Sequence, residues 1–353
     1  MGKKQKIIII ISVIITAIAG TLSYAHSNVV LSFVVSAVAL AMLAKVVGDA
    51  TEQLGSRFGA AATGILQSAL GNLPELFVAI FALRAGLDKV VQAALIGSIL
   101  GNSLLVLGLA IFLGGLKNGT QRFVSEPPKM MATLMILALA GLVIPTVTQI
   151  FHTPGATHIN QLDIFLAIVL LIIFVASLFV SLKGDTSFVS PRPQSPTPHV
   201  AWPLAVTIIV LAGAGVAAGF VSDWFVRALK PAMKLLDIND TFAGLVIVAI
   251  AGNAIENVVG VQLAYKNQSD YSMSVIMNSS LQVALGLFPL LVLLSFFLGG
   301  SVLSFVLAPM LLVSLALGVI VSAFVVMDGE SIWLEGVALI GLYLLIAAAF
   351  WWG

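Results

Sequence analysis

The sequence predicts an all-α polytopic membrane protein with two inverted repeats, and three observations lead to this prediction. Hydrophobic residues make up 60% of the 353 positions, charged residues only 9%, and the mean hydropathy is +1.14. Long apolar runs alternate with short polar stretches along the chain. The phrase "GNLPE" at 71–75 returns as "GNAIE" at 252–256. Soluble domains carry about 25% charged residues, so the surroundings of this chain must be largely lipid.

Eleven segments are long and apolar enough to span a bilayer, which requires roughly 20 mostly apolar residues each. The predicted spans are 7–24, 28–47, 61–84, 90–115, 129–150, 161–182, 201–221, 241–265, 272–298, 301–325 and 332–352.

The first segment, within residues 1–27, is predicted to be an additional transmembrane helix. Its basic start and Ser23-Tyr24-Ala25 resemble a cleavable signal peptide. A retained helix is favoured because the lysine-flanked segment is long enough to span. With the N-terminus inside, eleven of the 16 Lys and Arg residues lie on the inner side. The positive-inside rule then predicts a cytoplasmic N-terminus.

A proline-rich stretch, residues 183–200, is predicted to be an exposed cytoplasmic linker. It separates a first five-helix repeat, 28–182, from a second one, 201–353. Because each repeat has an odd number of spans, the two enter the membrane from opposite sides. Inverted repeats of this kind are typical of secondary transporters that work by alternating access.

The two motifs align at a constant offset of 181 residues, since 256 − 75 = 181. The same offset pairs Gly71 with Gly252 and Asn72 with Asn253. It also pairs Ser98 with Ser279 in the helix that follows each motif, as 279 − 98 = 181. A chance match of the short motif alone would be unremarkable, but the shared serine makes chance a poor explanation.

Glu75 and Glu256 are predicted to be the cation-binding pair. A charged carboxylate at the bilayer centre costs about 2.5–3.5 kcal/mol and must find a partner. Neither motif has a basic residue within its helical reach. A pair of carboxylates can instead hold a divalent cation or protons, and competition between the two is the thermodynamic basis of an exchanger.

The motif helices are predicted to be broken. Gly71 permits irregular backbone, and Pro74 suits the first turn of a restarted helix. Backbone carbonyls freed near Gly71 and Gly252 are hard oxygen ligands suited to Ca²⁺. Asn72 and Asn253 can add an amide oxygen or cap the half-helix. Because Ile255 replaces the proline, the second break depends on Gly252 alone.

These residues resemble the two α-repeats of the cation/proton exchanger family, within the Ca²⁺/cation antiporter superfamily. The resemblance rests on "GNLPEL" with "GSILGN", and on "GNAIENVVGVQLAYKN" with "NSSLQ". It implies Ca²⁺ bound between Glu75 and Glu256, with H⁺ as the counter-ion and no further cofactor. It also implies that polar residues of the following helices support the glutamates: Ser98, Ser279 and Gln282.

Asn102 has two interpretations, because it can either hold neighbouring helices together or reach the ion. Gly97 and Gly101 form a small-xxx-small pair, a pattern that usually serves helix packing. Related Na⁺/Ca²⁺ exchangers have Gly-Thr or Ala-Thr-Ser where this chain has Gly-Asn, which favours protons. A Na⁺-coupled exchanger of Ca²⁺ or another divalent cation remains the alternative.

Composition and motifs argue against other classes of protein. The net charge of +1 argues against nucleic acid as a partner. With no cysteine there is no thiolate chemistry. Neither His-Glu-x-x-His nor Gly-x-Ser-x-Gly occurs, so no enzyme is predicted. A channel would normally assemble its pore from several chains, whereas this chain carries its own repeat. The expected location is a prokaryotic inner membrane; the oligomeric state stays open, with a homo-oligomer among the states allowed.

Overall fold

A computed structural model describes residues 2–25, 28–55, 57, 66, 70–182 and 202–352. Nearly all of these are helical, as predicted. Within them, nine helices are long and apolar enough to cross a membrane, or ten if a bent pair counts as one span. The predicted span 61–84 lies partly outside the described residues, so the count of eleven is not confirmed.

The main helices follow the apolar runs, since a helix satisfies its own backbone where lipid offers no hydrogen bonds. They are α1 Lys3–Tyr24, α2 Val29–Gly55, α3 Leu73–Arg84, α4 Asp88–Leu100, α5 Leu107–Asn118, α6 Glu126–Ile150, α7 Ile159–Leu182, α8 Leu204–Leu236, α9 Ala249–Tyr265, α10 Ser269–Gln282, α11 Phe288–Ser295, α12 Pro309–Val326 and α13 Trp333–Trp352. Three π-helical segments adjoin them, at Gly101–Val106, Ala243–Val248 and Val283–Leu287.

The helix predicted over 301–325 is wrong in its first eight residues, because 301–308 form a non-helical segment and α12 begins at Pro309. We call this segment the buried strap. Leu303, Phe305 and Leu307 are 0–2% exposed. Side chains from other parts of the chain, those of Gln92, Thr146 and Asp163, form hydrogen bonds with its backbone N–H and C=O groups. These groups are therefore satisfied without a helix. Non-helical backbone at membrane depth is tolerated only where it is buried in protein.

The eighth helix is longer than predicted, running to Leu236 instead of ending near residue 221. Its last turns are amphipathic. Asp223, Arg227, Lys230 and Lys234 recur at helical spacing, while Phe225, Leu229 and other intervening residues are buried. The prediction stopped at the first charged residue, although the helical periodicity continued.

The chain forms two compact units, and each takes segments from both predicted repeats. The first unit comprises Met1–Gly86 with Pro193–Asn239, and therefore contains α1, α2, α3 and α8. In it α8 packs along α2, where Phe33 stacks on Phe225 with ring centroids 4.9 Å apart. The division of the sequence into two five-helix repeats stays a prediction.

The second unit comprises Leu87–Arg192 with Asp240–Gly353. It contains two similar arrangements, helix–π-helix–helix, in α4–α5 and in α10–α11. These begin at Asp88 and Ser269, and 269 − 88 = 181, the offset of the two motifs. A short antiparallel pair, Gln121–Arg122 with Glu330–Ser331, lies in the same unit.

Glycines let α4 approach the π-helical segment Ala243–Val248 at backbone distance. A Cβ on Gly97 would lie 2.6 Å from Leu245 Cα and would collide with the Leu245 carbonyl oxygen. On the opposite side, a Cβ on Gly244 would collide with the carbonyl oxygen of Val90. This contact brings the helix carrying Ser98 against the chain that leads into the second motif.

Candidate functional site

The first motif begins a helix, as predicted. Gly71 and Asn72 form a turn, α3 starts at Leu73, and Pro74 lies in its first turn. Asn72 occupies the N-cap position without a side-chain cap and is buried, at 8% exposure. Glu75 is half-buried in the first turn, where the exposed N–H groups and the helix dipole favour a negative charge.

The second motif is bent rather than interrupted. Gly252 and Asn253 lie within α9, which is helical from Ala249 to Tyr265. The helix axis turns by 62° between Asp240–Asn253 and Val258–Tyr265. Without a proline, each residue here keeps its N–H, which fits a bend in place of a break. The side chain of Glu256 lies outside the described residues, so its predicted role stays a prediction.

Asn253 is the centre of a buried polar cluster in the second unit, where it is 3% exposed. Its Nδ2 donates to Ser98 Oγ at 2.8 Å and to the carbonyl oxygen of Ala249 at 2.9 Å. Its Oδ1 accepts a hydrogen bond from Asn102 Nδ2 at 3.3 Å. Both amide hydrogens of Asn253 are therefore used within this cluster.

Asn102 completes the cluster by donating from Nδ2 to Ser279 Oγ at 2.9 Å. It thereby connects α9 and α10 from the start of a π-helical segment, a deformation common at functional sites. At the 181-residue offset, Asn102 corresponds to Val283, whose side chain has no polar group. The second repeat therefore has no equivalent of this hydrogen-bonded bridge. Ser98 and Ser279 each bond across helices to an asparagine.

Sequence reasoning missed a second polar pair. Ser103 Oγ and Ser280 Oγ lie 3.1 Å apart, and both residues are at most 1% exposed. Ser103 directly follows Asn102, and Ser280 directly follows Ser279. Their position beside predicted site residues was the signal in the sequence that could have identified this pair. Gln282 is buried at 7% exposure at the end of α10.

A small cavity of about 10 Å³ lies beside this cluster, lined among others by Ser98, Asn102 and Asn253. That volume is at the lower limit for a single water molecule. The cluster is thus closely packed, and its amides and hydroxyls satisfy one another. Such a network fixes the relative positions of α4, α9 and α10.

The sequence analysis did not single out Asp163, a carboxylate within the predicted span 161–182. Intramembrane carboxylates are functional candidates by default, and this one is 1% exposed. Its Oδ1 accepts from the N–H of Phe305 at 3.4 Å, and it also bonds the Ser304 side chain. Asp163 therefore stabilises the buried strap, which is a structural task.

The described side chains contain no group of three His, Asp or Glu residues arranged to hold a metal ion. Gly71, Asn72 and Glu75 belong to the first unit, whereas Ser98, Asn102, Asn253 and Ser279 meet in the second. The oxygen donors predicted from the sequence are carboxylates, amides and carbonyls, the types that Ca²⁺ takes.

The chain belongs to the sodium/calcium exchanger protein family, whose profile matches residues 28–183 and 206–352. It is 33% identical to the Ca²⁺/H⁺ antiporter of Synechocystis sp., covering 99% of this chain and 98% of that protein. This agrees with the resemblance that the two motifs carry.

Solved structures share the fold. The crystal structure of the Ca²⁺/H⁺ antiporter protein YfkE superposes with a TM-score of 0.83 at 30% identity, covering 99% of this chain and all of that one. The sodium-calcium exchanger NCX_Mj is more distant, with a TM-score of 0.55 at 18% identity over 91% of this chain and 98% of its own. The latter likeness concerns the fold alone.

Proposed function

We propose that this chain is a secondary active transporter that exchanges Ca²⁺ for H⁺ across the membrane by alternating access. The observation that carries the proposal is the similarity to a Ca²⁺/H⁺ antiporter over 99% of the chain. It is supported by the duplicated Gly-Asn-x-x-Glu motif, which places one glutamate in each apolar half.

Glu75 and Glu256 bind either one Ca²⁺ or protons, and the two ligands compete for the same oxygens. The first turn of α3 offers Glu75 the positive end of a helix dipole, so its ionised form can persist in an apolar span. Ca²⁺ then neutralises the carboxylates when it binds. Protons neutralise them when it leaves, which couples the two fluxes in opposite directions.

The remaining motif residues complete the site. Carbonyl oxygens near Gly71 and Gly252, with the amide of Asn72, supply further ligands. Asn253 was predicted as a ligand, and an amide binds a cation only through its oxygen. Asn253 Oδ1 already accepts a hydrogen bond from Asn102, so the ion would use the second lone pair of this oxygen.

Four further side chains support the pathway of ions and protons: Ser98, Asn102, Ser279 and Gln282. Asn102 and Asn253 orient the two serine hydroxyls through the hydrogen bonds described above. A hydroxyl can both donate and accept, so each serine can pass a hydrogen bond on to a neighbouring carboxylate in either protonation state.

A Na⁺-coupled exchanger of divalent cations is the second candidate. The observation in its favour is the shared fold of NCX_Mj, at 18% identity. The Gly-Asn pairs of both motifs favour protons instead. The two candidates differ in the gradient that drives uptake, so one assay separates them.

The protein acts in a bacterial inner membrane with its N-terminus in the cytoplasm. Eleven of the 16 Lys and Arg residues fall on the side of the membrane that holds the N-terminus, and this excess supports the orientation. The apolar spans support a multi-pass protein. Its substrates are Ca²⁺ and H⁺, and its activity is transport without an enzymatic step.

The test is uptake of ⁴⁵Ca²⁺ into proteoliposomes with an imposed pH gradient or an imposed Na⁺ gradient. Wild-type protein is expected to accumulate Ca²⁺ with the pH gradient alone. Glu75→Gln and Glu256→Gln are each expected to reduce uptake to the level of protein-free liposomes, because an amide cannot neutralise Ca²⁺ or release a proton.

Glu126→Gln is the matched control. Glu126 also lies in the first turn of a helix beside a proline, but it is exposed and outside the motifs. Its variant is expected to transport like the wild type. Uptake that follows Na⁺ and ignores pH would replace H⁺ by Na⁺ in the proposal, and full activity in either glutamate variant would refute the binding pair.

A further inference from the structure

A cleft of about 650 Å³ opens between α3 and α8 in the first unit. Its size falls within the range of small-molecule sites, about 300–1,000 Å³. Its walls are apolar and include Phe81, Val216 and Phe220, whereas one end holds Arg84, Asp223 and Arg227. The cleft is thus amphipathic.

The charges at that end favour an anion. Arg227 Nη2 pairs with Asp223 Oδ2 at 2.7 Å, which holds one guanidinium in place. Arg84 is exposed and makes no hydrogen bond or ion pair with any described residue. Two guanidinium groups against one carboxylate leave one positive charge. Guanidinium binds phosphate oxygens in a bidentate manner.

The lengths of α8 and α3 each place the charged end of the cleft at the depth of the lipid headgroups. Arg227 is 227 − 204 = 23 residues from the start of α8, about 35 Å along the axis, whereas the hydrocarbon core is about 30 Å thick. Arg84 ends α3, whose 12 residues extend about 18 Å from the broken motif. Both arginines therefore reach an interface.

The apolar walls lie on the membrane side of the charges along both helices. Phe81 precedes Arg84 by one turn, and Val216 precedes Arg227 by 11 residues, about 16 Å. Phe220 and Val216 are 57% and 63% exposed, so they offer open apolar surface. A Cβ on Gly219 would meet nothing within 4 Å, which leaves space between them.

We propose that this cleft binds one anionic phospholipid, with its phosphate between Arg84 and Arg227 and an acyl chain along Phe81, Val216 and Phe220. The single excess positive charge matches a phosphodiester without a compensating ammonium group, such as that of phosphatidylglycerol. A headgroup carrying choline would place a cation close to Arg84. The proposal is independent of which ions the protein transports.

The test measures the thermal unfolding midpoint of the full-length protein in detergent with added lipid. Phosphatidylglycerol is expected to raise the midpoint more than phosphatidylcholine does, and inorganic phosphate is expected to leave it unchanged. The double variant Arg84→Gln with Arg227→Gln is expected to lose the difference between the two lipids. Lys230→Gln with Lys234→Gln removes the same charge from exposed positions of α8 outside the cleft and should keep that difference.

Gly219→Leu provides a second, steric test that leaves every charge in place. Its side chain fills the open space of the cleft without a clash at Cβ, so the folded protein is expected to lose the effect of phosphatidylglycerol. Equal effects of the two lipids, an equal effect of inorganic phosphate, or an unchanged response in either cleft variant would each overturn the proposal. Loss of the response in the lysine control would do so too, because it would show a diffuse charge effect.

Discussion

Asn253 donates a hydrogen bond to Ser98 at 2.8 Å, with both residues buried, at 3% and 5% exposure. The two residues are 155 positions apart and come from opposite sequence repeats. The asparagine of one motif is thus tied to the serine that follows the other motif. Any movement of α9 must carry α4 with it or break this bond.

This bond predicts energetic coupling between the two positions. Asn253→Ala is expected to lower the free energy of unfolding by about 1–3 kcal/mol, because it leaves buried partners without a hydrogen bond. Combined with Ser98→Ala, the loss should fall short of additivity by about 0.5–3 kcal/mol. Equilibrium unfolding in mixed micelles with increasing SDS measures both quantities.

Ser322→Ala combined with Asn253→Ala serves as the control cycle. The Ser322 hydroxyl is buried and donates within its own helix, to the carbonyl of Val319 at 3.1 Å, and it bonds no other residue among those that the structure describes. Its effect should add to that of Asn253→Ala. Full additivity in the Ser98 cycle would contradict the coupling.

Gly97→Ala is expected to destabilise the protein strongly, whereas Gly101→Ala is not. A methyl group on Gly97 collides with the backbone of Leu245, and backbone cannot move aside as a side chain can. Overpacking of this kind costs about 1–3 kcal/mol or more. The same group on Gly101, one turn later, meets nothing within 4 Å.

The measurement for this glycine pair is the yield of monodisperse protein and its unfolding midpoint in detergent. Gly101→Ala should match or slightly exceed the wild type, because alanine favours helix. Equal midpoints for the two variants would show that the close approach to Leu245 is not maintained.

Thr146→Val is expected to loosen the buried strap. Thr146 Oγ1 accepts from the N–H of Leu307 at 3.0 Å and donates to the carbonyl oxygen of Phe305 at 3.3 Å. Valine keeps the shape but leaves both groups unpaired, at a cost of about 1–3 kcal/mol. Thr133→Val, an exposed position on the same helix, is the control and should change little.

Hydrogen exchange of the Leu307 amide tests the same variant locally. Its protection should fall in Thr146→Val and stay unchanged in Thr133→Val. Unaltered protection in the first variant would mean that the strap is held by its other contacts, those to Gln92 and Asp163.

Trp202 is expected to hold the start of α8 against α1 and α2. It is 1% exposed, its Nε1 donates to Gln5 Oε1 at 2.8 Å, and its N–H donates to Gln53 Oε1 at 3.1 Å. Arg57 donates to its carbonyl oxygen. These bonds join three helices of the first unit at one point.

Replacing the indole separates its packing from its hydrogen bond. Trp202→Phe removes the bond to Gln5 and should cost about 1 kcal/mol, whereas Trp202→Ala should cost about 3–5 kcal/mol. Unfolding in SDS mixed micelles measures both. Trp333→Phe, at a half-exposed position on α13 with 48% exposure, is the control and should be nearly neutral.

Much of the fold could be predicted from the sequence because a bilayer permits few structures. Hydropathy located the spans, since only helices satisfy their own backbone in lipid. Pro74 and Gly71 located the start of α3 correctly. The offset of 181 residues also separates Asp88 from Ser269, the first residues of the two equivalent helices α4 and α10.

Other features could not be predicted from the sequence because apolar composition does not distinguish a helix from a buried non-helical segment. The buried strap is as apolar as a span, but Gln92, Thr146 and Asp163 supply its hydrogen bonds from distant positions. The end of α8 was missed because charged residues ended the apolar window while the helical period continued.

The sequence by itself determined that the protein is helical, that its motif is duplicated, and that no lysine or arginine lies within four positions of Glu75 or Glu256. Tertiary structure alone decided that Asn253 bonds Ser98 and that Asn102 bridges to Ser279. The physical reason is range. Hydropathy and local backbone chemistry act over one helix, whereas a buried hydrogen bond joins whichever polar groups the packing of several helices brings together.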